Sequence, residues 1–217
     1  MALSRVLIGE ISLTNRVVTG DAKFCQRDLS QLAVRRGGAY FWVVKDNQPT
    51  LRDDIATVFL SPPPGERLLT AVSRTTHGDR TEVRTLSATT ALNGYLDWPH
   101  VAQVCRIERQ VTRKQQTTTE IAYAITSLSP ETASPAQLAA FWRGHWGIEN
   151  RLHWVRDVTF GEDASQVRTG SGPQVIAALR NTTIAILRRA GHTNIAAALR
   201  TYAARPADVL ALVGLTL

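Results

Sequence analysis

The segment FWRGHWGIENRLHWVRD, residues 141–157, brings together residue types that seldom share one stretch. If it is helical, Trp142, His145, Trp146, Glu149, His153 and Arg156 fall along one stripe, because residues three and four apart are neighbours. Three chemistries are open to such a stripe. The structural one is a core helix with buried tryptophans and an ion pair from Glu149 to Arg156 or Arg143. A second is a transition-metal site, since His145, Glu149 and His153 stand at i, i+4 and i+8. The spacing is not the His-Glu-x-x-His pattern of metalloproteases, but it would suit a metal-dependent hydrolase. The third pairs Glu149 with Asp21, which ends the short apolar run Arg16-Val17-Val18-Thr19-Gly20. A carboxylate at the carboxyl end of a buried strand stands where α/β sheets place active sites. An Asp there also serves as a turn or helix cap. Two such carboxylates offer hard oxygen ligands for Mg²⁺, and phosphoryl transfer uses two cations about 3.5–4 Å apart. Gly144 and Gly147 each cost about 1 kcal/mol in a helix interior. That cost suggests close approach to the backbone by a packed strand or a nucleic-acid strand.

The elements that would position these groups follow from pattern. Residues 16–21 predict a short strand. Arg27 to Arg36 carries Leu29, Leu32 and Ala33 at helical spacing and meets Gly37-Gly38, a stop signal. Ala39 to Val44 is apolar, aromatic and β-branched, hence a second strand. Pro49 opens a helix with Leu51, Ile55, Val58 and Phe59. Strand, helix, strand, helix at this spacing indicates parallel α/β structure. Ser61-Pro62-Pro63-Pro64-Gly65 breaks the pattern. Beyond it, Leu68 to Ser73, Thr81 to Ser87, Val101 to Val111 and Glu120 to Ser127 read as mostly antiparallel strands, with turns at Asn93-Gly94 and Lys114-Gln115-Gln116. Ser134-Pro135-Ala136-Gln137 is a capping box, and its helix is expected to run to about Arg156. Val175 to Arg189 and Ile195 to Ala203 complete the helices. The expected division is 1–65, a first α/β part; 66–128, a β-rich insertion; and 129–217, a helical remainder.

Composition narrows the classes. The 217 residues are 44% hydrophobic and 20% charged, which excludes a disordered or collagen-like chain. No apolar run approaches the roughly 18 residues of a spanning helix. Cys25 and Cys105 make neither a disulfide scaffold nor a four-cysteine zinc site. A bacterial, cytoplasmic setting is expected. Lys and Arg number 25 against 18 Asp and Glu, a net +7, with a pI near 10.1. That excess suggests a polyanionic partner. Between 134 and 200, eight Arg face Glu149, Asp157, Glu162 and Asp163, a net of 8 − 4 = +4. In the β-rich part, Arg106, Arg109, Arg113 and Lys114 face only Glu108. Trp98 reads either as core or as a platform for a splayed base. Lys45-Asp46-Asn47-Gln48 reads as a turn, with Asn47 capping locally, or as a DNA contact.

These motifs together resemble a family. Val17-Val18-Thr19-Gly20-Asp21-Ala22 matches, as does the stretch from Tyr40 through Lys45-Asp46-Asn47-Gln48-Pro49-Thr50-Leu51. So do His77-Gly78 with Arg80, Glu82 and Arg84, and the long stretch Arg143-Gly144-His145-Trp146-Gly147-Ile148-Glu149-Asn150 continuing through Asp157 to Ala164. The chain resembles the carboxy-terminal part of bacterial insertion-sequence transposases of the DDE type. The branch is ISAs-one, with its H-repeat-associated proteins, related to the IS-four group. The similarity runs from about residue 5 to 200. It implies an RNase H-like (ribonuclease H fold) α/β core with the β-rich segment as an inserted subdomain. It also implies that Asp21 is the second and Glu149 the last of three metal-holding catalytic carboxylates. Two Mg²⁺ ions, double-stranded DNA at insertion-element ends, a homodimer on paired ends, action at the nucleoid and no membrane role are implied likewise. The DNA contacts suggested are Arg143, His145, Arg151, Arg156, Lys45, Arg80 and Trp98. Trp142, His145 and Arg156 stand where the IS-four group has Tyr, Arg and Lys, and the His-Gly-Arg-x-Glu-x-Arg pattern is one residue longer here. The first Asp has no counterpart, since only Glu10 among acids precedes Asp21. The expectation is an amino-terminally truncated transposase, or alternatively a non-catalytic DNA-binding or oligomerising remnant.

Overall fold

A computed structural model describes residues 2–148 and 153–214. It divides into two compact units, Met1–His145 and Trp146–Leu217. The first is built on one six-stranded sheet. Strand β1 (Val17–Gly20) runs parallel to β2 (Ala39–Val44), with Val17 opposite Ala39 and Gly20 opposite Trp42. Helices α1 (Ala2–Glu10), α2 (Arg27–Arg35) and α3 (Pro49–Leu60) flank this pair in sequence. Four longer strands follow: β3 (Leu69–His77), β4 (Arg80–Thr89), β5 (Gln103–Arg113) and β6 (Gln116–Thr126). They form an antiparallel meander, and β6 closes it onto β2, giving the order β1-β2-β6-β5-β4-β3. Residues 69–126 and the parallel pair thus share one sheet.

The alternation of side chains across a strand divides the core into two layers. Tyr40, Trp42 and Val44 of β2 face Leu29 and Ala33 of α2, Leu51, Ile55 and Val58 of α3, and Ile8 of α1. The Trp42 ring stacks on Tyr40 at 5.6 Å between centroids, and its indole N–H donates to the buried Ser30 hydroxyl at 2.9 Å. Phe41, Leu86, Ala88, Cys105, Ile107 and Ala124 face the other way and pack under Leu138 of α4 (Pro135–Ile148). The capping box of α4 forms as the sequence predicts. The Ser134 N–H donates to Gln137 Oε1 at 2.9 Å, and the Gln137 N–H donates to Ser134 Oγ at 3.4 Å. The turn between β5 and β6 places Lys114 and Gln115 at φ 47° and 63°, the left-handed pair that a two-residue hairpin needs.

The second unit has its own small core. Val155 from a π-helical turn (Val155–Thr159) packs with Ile184 and Leu187 of α5 (Gly172–Arg189) and with Ile195 and Ala198 of α6 (Ile195–Ala203). Helix α7 (Pro206–Leu212) follows. The sequence predicts a single helix from 134 to about 156. The structure describes α4 to Ile148 and finds wider π-type winding at Val155–Thr159, so Arg156 does not stand in regular α-helical spacing. Among the described residues, no helix is long and apolar enough to cross a membrane.

Candidate active site

Asp21 follows the last residue of β1 with its backbone still extended, φ −71° and ψ −177°. Strand alternation therefore puts it on the side of Val17, the face that α4 covers. One carboxylate oxygen, Oδ1, accepts the Lys23 N–H at 2.9 Å and caps the 3-10 turn Ala22–Phe24. The cap that an Asp in this position can supply is present. It leaves Oδ2 without a partner among the described residues. Gly20 is buried beneath this turn. A Cβ there would meet Phe24 at 2.5 Å and Trp42 at 2.8 Å, so only glycine lets the turn fold back onto the strand.

The loop after β2 holds the same turn from the side. Asn47 is expected from sequence to cap locally. Instead its Nδ2 reaches across to donate to Ala22 O at 2.7 Å, and Gln48 Nε2 donates to Cys25 O at 3.1 Å. The parallel pairing of β1 and β2 causes this, because it brings both strand ends to the same edge. The Gln48 N–H does close a turn onto Lys45 O, as the sequence suggests, and Lys45 is exposed beside it. The clamping role of Asn47 and Gln48 was carried by no local signal; only the parallel sheet reveals it.

On α4, Trp142 is used by the core, its ring edge-on to Phe41 at 6.4 Å and 75°. Arg143 is exposed. His145 has its Nδ1 buried with no hydrogen-bond partner among the described residues. Glu149 and Arg151 lie outside the described residues, so the structure does not bring Asp21 and Glu149 together or apart. Nothing among the described residues lies within 4 Å of a Cβ built at Gly144 or Gly147. Arg156 is half-buried and clasps Glu162 with Nε and Nη2. The Glu162 carboxyl is held below its usual range chiefly by that hydrogen bond. The acid that Arg156 meets is therefore Glu162. His153 is exposed, and no three His, Cys, Asp or Glu side chains among the described residues stand close enough to hold a metal.

A second polar constellation lies on β4. Gly78 and Asp79 form the tight turn that sets His77 opposite Arg80. Arg80, Glu82 and Arg84 then alternate onto one face of the strand. Glu82 is only 7% exposed, and its carboxylate meets Arg84 at 2.6 Å, Arg109 at 2.5 Å and Arg80 at 3.1 Å. Burial pushes its carboxyl up, but the Arg109 hydrogen bond and the charges of Arg84, Arg109 and Arg80 outweigh this and hold it low. Trp98, by contrast, packs against the first core layer and donates its indole N–H to Ser30 Oγ at 3.1 Å. Its ring belongs to the core.

Comparison with known proteins gives these features a context. YbfL of Escherichia coli K12 is 28% identical over 193 residues, covering 83% of this chain and 50% of that protein. YhhI of the same strain, whose name assigns it provisionally as an H repeat-associated transposase, is 27% identical over the same share of each chain. YncI of E. coli O157:H7, provisionally named a transposase, is 26% identical over 84% of this chain and 48% of its own length. The chain thus spans about half the length of the curated relatives it matches. Residues 2–186, with β1, the whole sheet and α4 inside them, match one described family, and the chain belongs to it: the transposase DDE domain family.

Proposed function

We propose that this chain carries catalytic machinery of an insertion-sequence DNA transposase, cutting and joining strands by metal-dependent phosphoryl transfer. The observation that supports the reading best is the placement of Asp21. Inside a DDE-domain match, an acceptor-only carboxylate stands at the carboxyl end of a parallel strand, with one oxygen fixed by a backbone N–H. DDE-domain proteins work with divalent metal ions, and a free carboxylate oxygen is a fitting hard ligand. Asp21 and Glu149 are the residues that would hold Mg²⁺, two ions in the complete enzyme. When bound, the ions supply an activated nucleophile and stabilise the leaving oxygen. The chain's own residues orient: the Lys23 N–H and the Asn47 and Gln48 amides fix the turn that aims Asp21. Arg143, Arg151, Lys45 and Arg80 would grip the DNA backbone. In this reading β1 and β2 are the parallel pair of an RNase H-like sheet, residues 66–128 are an insertion continuous with that sheet, and residues 129–217 bring Glu149. Among the described residues β1 is an edge strand of that sheet. Insertion-element ends are the proposed substrate, and a homodimer on paired ends the proposed assembly.

Plasmid nicking tests this directly. Supercoiled DNA with Mg²⁺ or Mn²⁺ should relax with the intact chain, and Asp21→Ala or Glu149→Ala should abolish the reaction. Nicking that survives both substitutions overturns the assignment. The excess of basic side chains, a net +7, favours a second reading, DNA binding without cleavage. Salt-sensitive DNA binding with no nicking in any metal would select it.

A further inference from the structure

Register places the Glu82 constellation relative to the Asp21 end of the sheet. Val44, the last residue of β2, pairs with Tyr123, which pairs with Arg106, which pairs with Ser87. Because β6 runs antiparallel to β2, residues of β6 before Tyr123 overhang the end of the parallel pair. Residues of β5 after Arg106 and of β4 before Ser87 overhang it as well. Arg84 pairs with Arg109, and Arg109 with Glu120, three residues beyond that limit. At about 3.3 Å per residue the overhang there is about 10 Å. These side chains share the face of Leu86, Ile107 and Ala124, which Leu138 and Trp142 of α4 cover. One face of the sheet therefore passes from an apolar floor under α4 to a charged shelf, at the end where β1 delivers Asp21.

The shelf has more positive charge than its own carboxylates neutralise. Arg80, Arg84, Arg109 and Arg143 stand against Glu82 and Glu120, which leaves 4 − 2 = +2. Arg84 is the most enclosed. Burial disfavours its charge first, and Arg143, Arg109 and Arg80 add to that, while Glu82 opposes them. Each guanidinium offers five N–H donors; Arg109 commits two as hydrogen bonds to Glu82 and Glu120, while Arg80 and Arg84 each bring one nitrogen against Glu82 as an ion pair. The forks stay open to solvent, with side chains 44%, 24% and 36% exposed for Arg80, Arg84 and Arg109. A carboxylate buried among arginines is weak as a stabilising device, but it fixes the directions of three forks. Fixed forks are what bidentate recognition of phosphate requires.

We propose that Glu82 organises Arg80, Arg84 and Arg109, with Arg143 beside Arg84, into a backbone-phosphate site for duplex DNA passing the Asp21 end of the sheet. The proposal rests on the transposase reading and adds Arg84 and Arg109 to its DNA contacts, with Glu82 positioning them. Contacts of this kind carry affinity without reading sequence.

The test is fluorescence anisotropy of the full chain with a labelled duplex of arbitrary sequence, across a KCl series. Each phosphate contact contributes about −0.9 to the slope of log K against log[KCl]. Arg80→Ala, Arg84→Ala and Arg109→Ala should each flatten the slope by about that amount, while Arg84→Lys should keep it. Arg74→Ala removes an exposed arginine on the opposite face of the sheet and should change nothing. Glu82→Gln separates organisation from charge. Counting charge predicts tighter binding, whereas loss of the organised forks predicts binding about threefold to tenfold weaker. Circular dichroism confirms that each variant is folded, and Arg80→Ala, the most exposed, keeps the test available if others unfold. Unchanged slopes in the three alanine variants, tighter binding by Glu82→Gln, or an equal loss in Arg74→Ala overturns the site while the transposase reading stands. Failure of the wild-type chain to bind any duplex overturns that reading too.

Discussion

Glu82→Gln tests whether the buried carboxylate also carries stability, and the structure sets the size of the effect. The substitution keeps volume and shape but removes the charge shared by Arg80, Arg84 and Arg109 at 3.1, 2.6 and 2.5 Å. A hydrogen bond to a charged group contributes about 1.5–3 kcal/mol. Only Arg109 makes such a bond; Arg80 and Arg84 add ion pairs, and the contributions do not sum, because the guanidiniums are one-quarter to nearly one-half exposed and water recovers part of each loss. A net destabilisation of about 2 kcal/mol at pH 7 is expected, or about 4–8 °C in Tm for a chain of this length. The pH dependence identifies the cause. The folded Glu82 carboxyl is held below its ordinary value of 4.5. Its contribution is therefore complete above that value and is lost as pH falls through the lower folded value. The gap between wild type and variant should stand at neutral pH and close below pH 4.5. Urea titrations at pH 7, 5 and 3.5 measure it. A gap below about 0.5 kcal/mol at pH 7, the scatter of ordinary surface changes, refutes the reasoning. So does a gap that stays the same at pH 3.5.

Other consequences follow for the Asp21 turn and the cysteines. Gly20→Ala drives a methyl into Phe24 and Trp42, and overpacking of this kind costs about 1–3 kcal/mol. The urea midpoint should fall, and an unchanged midpoint would show that the turn has slack. Asn47→Ala removes one neutral hydrogen bond worth about 1 kcal/mol. It should leave the fold cooperative but raise the Mn²⁺ concentration needed for half-maximal nicking; an unchanged metal requirement rules out positioning through Ala22. Cys25 and Cys105 are buried, and burial pushes both thiols up to about 12. Neither should react with a disulfide reagent at pH 8 until the chain is unfolded by guanidinium. Rapid labelling of the native protein would mean that these core layers open.

Most of the sheet was legible because its strands obey local rules. Ala39–Val44 is apolar at every position because both its faces are covered by helices, and that pattern needs no tertiary information. The capping box at Ser134 and the helix opened by Pro49 are equally local. Helix α1 has no local signal, because nine residues of mixed character show no cap; what places it is Ile8 in the first core layer and the Arg5 ion pair with Asp28 of α2. Helix α7 carries a local signal, Pro206 at the first helical position and Asp208 in the first turn. At the candidate site, what could not be read was pairing across the fold. Asn47 to Ala22, Arg156 to Glu162 and Arg109 to Glu82 each join residues whose types fit several partners. Only register or winding selects among them.

Asp21 shows why a structural and a catalytic reading of one residue need not compete. A carboxylate whose oxygens were both taken by backbone N–H groups would be a cap and nothing more. One with neither taken would rotate, and a ligand atom that rotates loses affinity to its own entropy. Asp21 has Oδ1 fixed by Lys23 and Oδ2 open. The turn that carries it is pinned below by Gly20 and from the side by Asn47 and Gln48. The cap thus supplies the orientation that a ligand role requires. Replacing the Lys23 N–H separates the two: Lys23→Pro deletes that donor at a first-turn position, where proline is tolerated. If orientation by the cap matters, this variant should keep a near-native melting profile yet lose nicking at limiting Mn²⁺ and recover it at high Mn²⁺. A variant that nicks like wild type at every Mn²⁺ concentration would show that the cap stabilises the turn without serving the chemistry.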